Sequence, residues 1–121
     1  MTEGERDLAK LLADLQPELL PDRYAFVPTD NPRFDDGVFA LVREDEGVAA
    51  IRVDPAGEWA RISLGVHSNL EAVGMTAALS RALTEAGISA NVVAGLHHDH
   101  IFVPWDRREQ ALKVLQGLGG S

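Results

Sequence analysis

No cysteine occurs in the 121-residue chain. Disulfides and thiolate metal sites are thereby excluded, and the fold must rest on its apolar core. Long hydrophobic runs are absent too: nothing approaches the roughly 20 apolar residues that a membrane span requires. The opening Met-Thr-Glu-Gly-Glu-Arg-Asp is acidic and lacks the apolar stretch of a secretory signal, so the expectation is a cytoplasmic protein. Positive charge is scarce where a polyanion would need it. Residues 1–58 carry 14 Asp/Glu against 6 Lys/Arg, a balance of -8, whereas residues 59–121 carry 5 of each. An acidic half argues against nucleic acid, which needs a basic face, and against anionic membrane surfaces. Its plain role is solubility.

Motifs of activated chemistry are also missing. Ser63, Ser68 and Ser80 lack the G-x-S-x-G setting of an activated nucleophile. The terminal G-L-G-G lacks the lysine and following helix of a phosphate loop, and no H-E-x-x-H is present. The expectation is a protein without catalytic residues and without a cofactor. Length and a hydrophobic fraction of 45% fit one compact soluble domain, or two half-size units sharing a core.

Periodicity supplies the elements. Leu8, Leu11, Leu12 and Leu15 recur at helical spacing, predicting an amphipathic helix from about Asp7 to Leu15, ended by Pro17 and Pro21. Tyr24–Val27 reads as a short strand stopped by Pro28, followed by a polar loop. Val38–Arg43 and Val48–Val53 read as a hairpin around E-D-E-G, with Gly47 supplying the turn conformation. From Trp59 a strand alternates Ile62, Leu64 and Val66 with Arg61, Ser63 and Gly65. Ser68 or Asn69 is placed to cap the next helix, with Glu71 in its first turn and Gly87 as its stop. Ile88–Gly95 and Ile101–Val103 form two further strands joined by His97-His98-Asp99, and Asp106 is placed to cap a last helix.

The second half thus reads strand–helix–strand–strand–helix, a ferredoxin-like unit lacking its closing strand. The expected class is α+β: ferredoxin-like βαββα units, an antiparallel sheet with helices packed on one face. Either a first-half strand completes the second sheet, or two smaller sheets meet edge to edge. In the ferredoxin order the third strand of the unit lies between the first and second. All four histidines, His67, His97, His98 and His100, then gather with Asp99 at one sheet edge, beside a helix N-terminus suited to an anion. Three roles are open for this cluster. Asp99 organises a turn and the histidines are structural; His67, Ser68, Asn69 and nearby amides hold a carboxylate-bearing metabolite; or His67, His98, His100 and Asp99 ligate a metal such as zinc or nickel.

The stretch V-H-S-N-L-E-A-V-G-M-T-A-A-L-S-R-A-L-T-E-A-G-I-S-A-N-V-V-A-G, followed by H-D-H-I-F-V-P, resembles the core of an ACT domain. With its neighbours it is similar to small stand-alone bacterial ACT-like proteins of the DUF2241 type, related to the CASTOR-type ACT domains. The resemblance covers roughly residues 22–117. It implies an incomplete N-terminal ACT-like half over 1–58 and a C-terminal ACT-like domain over 59–121. It implies a non-enzymatic regulatory or sensor module that binds a small metabolite such as an amino acid, commonly where two domains pair, and hence a homodimer. The family's ligand contacts fall here on His67, Ser68, Asn69, Leu70, Gly74, Ser89 and Asn91, to which the turn adds His98. The other readings are a histidine-based metal protein and a module that binds only other proteins.

Overall fold

The structure is a computed structural model that describes residues 7–69 and 72–119. Helix α1 spans Leu8–Ala13, with the Asp7 carboxylate accepting from the Lys10 backbone N–H at 3.2 Å. Leu11 and Leu15 are fully sequestered from solvent, as their spacing predicts.

Strand β1 then runs from Pro17 to Thr29, a correction to the short strand expected over 24–27. Its prolines do not break it because they sit where no ladder bond is needed. Pairing to the neighbour on one side shifts register between Leu19 and Arg23, and Pro21 falls inside that bulge. Pro28 lies beyond Tyr24, where that same neighbour's pairing ends. Bulges and free flanks are the places a sheet tolerates proline.

Strands β2 (Val38–Glu44) and β3 (Gly47–Val53) form the expected hairpin, and Gly47 has a φ of 135°. Strand β4 spans Trp59–Leu64, α2 Met75–Glu85, β5 Asn91–Ala94 and β6 Asp99–Pro104. A 3-10 turn over Trp105–Arg107 leads into α3, Arg108–Leu118.

Two expected caps are not used. Helix α2 starts at Met75 behind Gly74, which has a φ of 97°, and not behind Ser68 or Asn69. The Asn69 carbonyl instead accepts from Ala72 N–H at 2.9 Å, so this segment turns before it can coil into the helix. Leu70 and Glu71 lie outside the described residues. Asp106 does not cap α3, whose N-cap position is Arg107. The C-terminus of α2 closes as expected: Gly87, φ 74°, donates to Thr84 O and Ile88 to Leu83 O, both at 2.9 Å. Arg107 reinforces that end, its Nη2 donating to Ala86 O at 3.0 Å.

All six strands join one antiparallel sheet in the order β2-β3-β1-β4-β6-β5. Strand β6 lies between β4 and β5, as the ferredoxin order requires. Strand β1 takes the place of the missing closing strand against β4 and also carries the β3–β2 hairpin. The helices pack on one face, where Ala60, Ile62, Leu64, Ile101 and Val103 meet Leu11, Leu79, Leu83 and Leu115. The opposite face carries Tyr24, Phe39, Ile51, Trp59 and Phe102.

Among the described residues no helix packs over that second face, yet Phe102 has no exposed surface. The sheet hides it by curling. In a flat sheet β2 and β6 would stand four strand spacings, about 19 Å, apart. Here the Phe39 ring of β2 lies 5.5 Å from Phe102 and 4.9 Å from His100, both on β6. Edge-to-face contacts of Phe102 with Tyr24 (5.5 Å) and Phe26 (5.4 Å) complete the packing.

Candidate functional site

Two concave sites open at the end of the sheet where β4 stops and β6 starts, one on each face. On the helix-covered side, Ser68, Asn69, Ala72, Met75, Thr76, Ala94 and Asp99 line a pocket of about 70 Å³. Asp99 begins β6 opposite Ala94, and its residue is only 7% exposed. Burial raises its carboxyl pKa above the ordinary value, while nearby His98 pulls the other way. Ser68, 8% exposed, is the other buried polar residue of the wall.

Beside this pocket the histidines do converge, though as three and not four. His67 lies 5.2 Å from His97 and 6.3 Å from His98, centroid to centroid, and His97 and His98 are 6.4 Å apart. His98 Nδ1 donates to the Val66 carbonyl at 3.2 Å, fastening the β5–β6 turn to the chain leaving β4. His100 departs to the curled face, because neighbouring strand positions alternate sides. There its Nδ1 is hydrogen-bonded to Ser63 Oγ at 3.0 Å. The metal set of His67, His98, His100 and Asp99 is therefore divided between two faces. Among the described residues no group of three or more His, Asp or Glu is placed to hold a metal ion.

The other predicted residues are spread. Gly74 stands at the start of α2, where an added Cβ would lie 3.3 Å from Leu8 Cδ2. Ser89 and Asn91 are exposed at the opening of β5, whereas His67 and His98 cluster beyond its far end at Ala94. At about 3.3 Å per residue, that strand separates the two groups by roughly 10 Å. Leu70 lies outside the described residues. The expected helix N-terminus at 69–71 is not there, since α2 begins at Met75.

On the curled face lies the larger cleft, about 530 Å³, lined by residues that include Glu18, Arg61, Ser63, His98 and His100. Glu18, Ser63 and His100 stand abreast on β1, β4 and β6. Burial first, then the charges of Arg61 and His98, lowers the His100 pKa to about 4, so this imidazole is neutral at pH 7. Arg61 lies beneath Phe39, with its guanidinium carbon 4.2 Å from the ring centroid, and its Nη1 donates to Tyr24 Oη at 3.0 Å. Its Nε is buried without an acceptor. Sequence reasoning left this cleft out, treating Arg61 as the polar partner in an alternating strand. The available signal was that Tyr24, Phe26, Phe39, Trp59 and Phe102 share one sheet face.

The antiparallel sheet with helices on one side has the α+β architecture of an ACT-like fold. Residues 56–117 match a family model described as ACT domain, and residues 3–61 match a second model of the same description. The chain belongs to the ACT-domain family. Domains of this family are in general regulatory and non-catalytic. Among solved structures the chain is similar to VC0802 from Vibrio cholerae, a protein of unknown function described as a possible transport protein. Identity is 37%, covering 93% of this chain and 96% of that one, with a TM-score of 0.77. It is also similar to protein Atu0741 from Agrobacterium tumefaciens, at 21% identity over 88% of this chain and 90% of that one, with a TM-score of 0.66; this second likeness is one of fold. No curated protein matches the chain. No helix among the described residues is long and apolar enough to cross a membrane.

Proposed function

We propose that this chain is a non-enzymatic regulatory module of the cytoplasm that senses an amino acid at the β4–α2 edge of its sheet. Its organisation would be an incomplete ACT-like half over 1–58 and an ACT-like domain over 59–121. The observation that carries the ligand class is the buried Asp99 carboxylate beside Ser68 and Asn69. Desolvating a carboxylate is unfavourable unless a cation or strong donors compensate. A pocket of about 70 Å³ is too small for a whole metabolite but holds an ammonium group. The remainder of the ligand would lie outward against His67, Ser68, Asn69, Leu70, Gly74 and His98. Ser89 and Asn91, at the other end of β5, would reach it from a second copy in a homodimer.

Thermal-shift measurements against each proteinogenic amino acid test this reading. A ligand at 100 times its Kd stabilises by about 2.7 kcal/mol, a readily measured shift. Asp99→Asn should diminish that shift and remove the response of the His67 ring signals, without lowering the melting temperature of the free protein, because it removes a buried charge. No shift with any amino acid at millimolar concentration would overturn the proposal.

A further inference from the structure

The cleft on the curled face presents a cation that is stacked on aromatic rings but has no counter-ion among the described residues. Arg61 is half-buried, and among the described residues the ion pairs are Arg52–Asp35 and Arg81–Glu85, neither involving it. A partly desolvated guanidinium with no counter-ion is unfavourable. Its contacts leave one edge without an acceptor, its Nε sequestered from solvent, so that a ligand reaches it only as the side chain turns toward the cleft. Nη1 is held by Tyr24 Oη and the flat of the group is covered by Phe39, whereas Nε has no acceptor. The Nε–Nη2 edge is the one that forms two parallel hydrogen bonds to a carboxylate.

A second charge restricts what can bind. Glu18 lines the same cleft and pairs across the ladder with Ser63, two residues from Arg61 on β4. Diagonal neighbours of this kind stand about 7–8 Å apart. A bare dianion near Arg61 would meet repulsion from Glu18. A molecule with a carboxylate and an ammonium a few bonds apart satisfies both. The volume of about 530 Å³ accommodates a small metabolite, and Ser63 and His100 add uncharged polar contacts.

We propose that the curled face holds a second ligand site, separate from the Asp99 pocket, that binds a small zwitterion with its carboxylate on Arg61 and its ammonium toward Glu18. Occupancy brings a carboxylate close to the His100 ring, whereas the Asp99 pocket reports through His67 and His97. The two sites can therefore be read independently by NMR of the histidine ring protons.

The experiment titrates the full chain with individual amino acids, then with acetate, methylammonium and inorganic phosphate. The expected result is a saturable shift of the His100 signals with at least one amino acid, much weaker with the three probes, each of which carries charge of one sign. Arg61→Gln should weaken that response at least ~10-fold, the scale of losing one partner of a desolvated charge pair, and leave any His67 response in place. Glu18 is exposed, so Glu18→Gln leaves the fold intact and serves if the arginine variant misfolds. It should bring acetate and the amino acid to similar affinity. No His100 response to any amino acid overturns the proposal. So does an equal response to acetate or phosphate in the unaltered protein, or a response that survives Arg61→Gln in a folded variant.

Discussion

His100 should make the protein lose stability as the solution is acidified through the range where an ordinary histidine takes up its proton. The ring is enclosed by Phe39 and hydrogen-bonded to Ser63, with a folded-state pKa of about 4 against 6.5 for the free side chain. Above pH 6.5 it is neutral in both folded and unfolded chains, and its packing contributes in full. Between pH 6.5 and about 4 the unfolded chain binds a proton that the native state refuses, so stability falls with pH across that window. The full displacement corresponds to at most about 3 kcal/mol. The ring is only partly buried, and solvent screening reduces the expected loss to roughly 1–2 kcal/mol. Urea unfolding would register this as a midpoint lower by roughly 0.5–1 M, given an m-value of about 2 kcal/mol/M. Asp99 contributes with the opposite sign, because its raised pKa lets the native state take up a proton first. The comparison must therefore be made against His100→Gln, which retains Asp99. The difference in midpoint between wild type and variant should shrink as pH falls from about 8 toward 4. A constant difference, or an NMR titration of His100 centred near 6.5, would refute the reasoning.

Phe102→Ala should cost about 3–5 kcal/mol in chemical denaturation, since it empties the centre of the aromatic cluster with no helix to settle into the gap. Gly57→Ala should destabilise strongly, because the added carbon would collide with the Tyr24 carbonyl. Gly117→Ala, in α3 with open space around it, should stabilise by about 0.5–1 kcal/mol; thermal melts of the pair compare the two. The isolated segment 59–121 should be aggregation-prone by light scattering, because it bares the whole edge of β4 that β1 covers; a monomeric, folded fragment would be contrary evidence.

Much of the fold is legible because local rules and the tertiary structure agree. The alternation around Gly47 specifies a hairpin, and the small-residue helix ends at Gly87 as expected. The β4-β6-β5 order is the one that the ferredoxin-like reading of the second half required. The failures share a cause: a local signal whose usual meaning the rest of the molecule overrides. Pro21 and Pro28 look like breakers, yet a bulge and a free flank accommodate them. Ser68, Asn69 and Glu71 have the composition of a cap, but the chain turns at Asn69–Ala72 and enters the helix only after Gly74. The histidines are close in sequence, and alternation along β6 turns His100 from Asp99 to the curled face, into the cleft that His98 also borders and away from the contact of His67 with His97. Curling is the hardest property to read. Nothing near Arg61 indicates that Phe39, 22 residues away in sequence and three strands distant in the sheet, will close over it.

The position of β1 also has a consequence in time. As the chain is synthesised, β1, β2 and β3 are made before β4 and can already zip into a three-stranded sheet, the β2–β3 hairpin adding to β1 through the Tyr24–Thr29 and Val38–Glu44 ladders. The other side of β1, at Pro17–Leu19, must then wait until Ile62–Leu64 has been made, more than 40 residues later. Throughout that interval an open strand edge is available to any neighbouring nascent chain. The bulge at Leu19–Arg23, with a proline inside it and Asp22 and Arg23 on its flank, twists and charges that edge and makes it a poor template for the wrong partner.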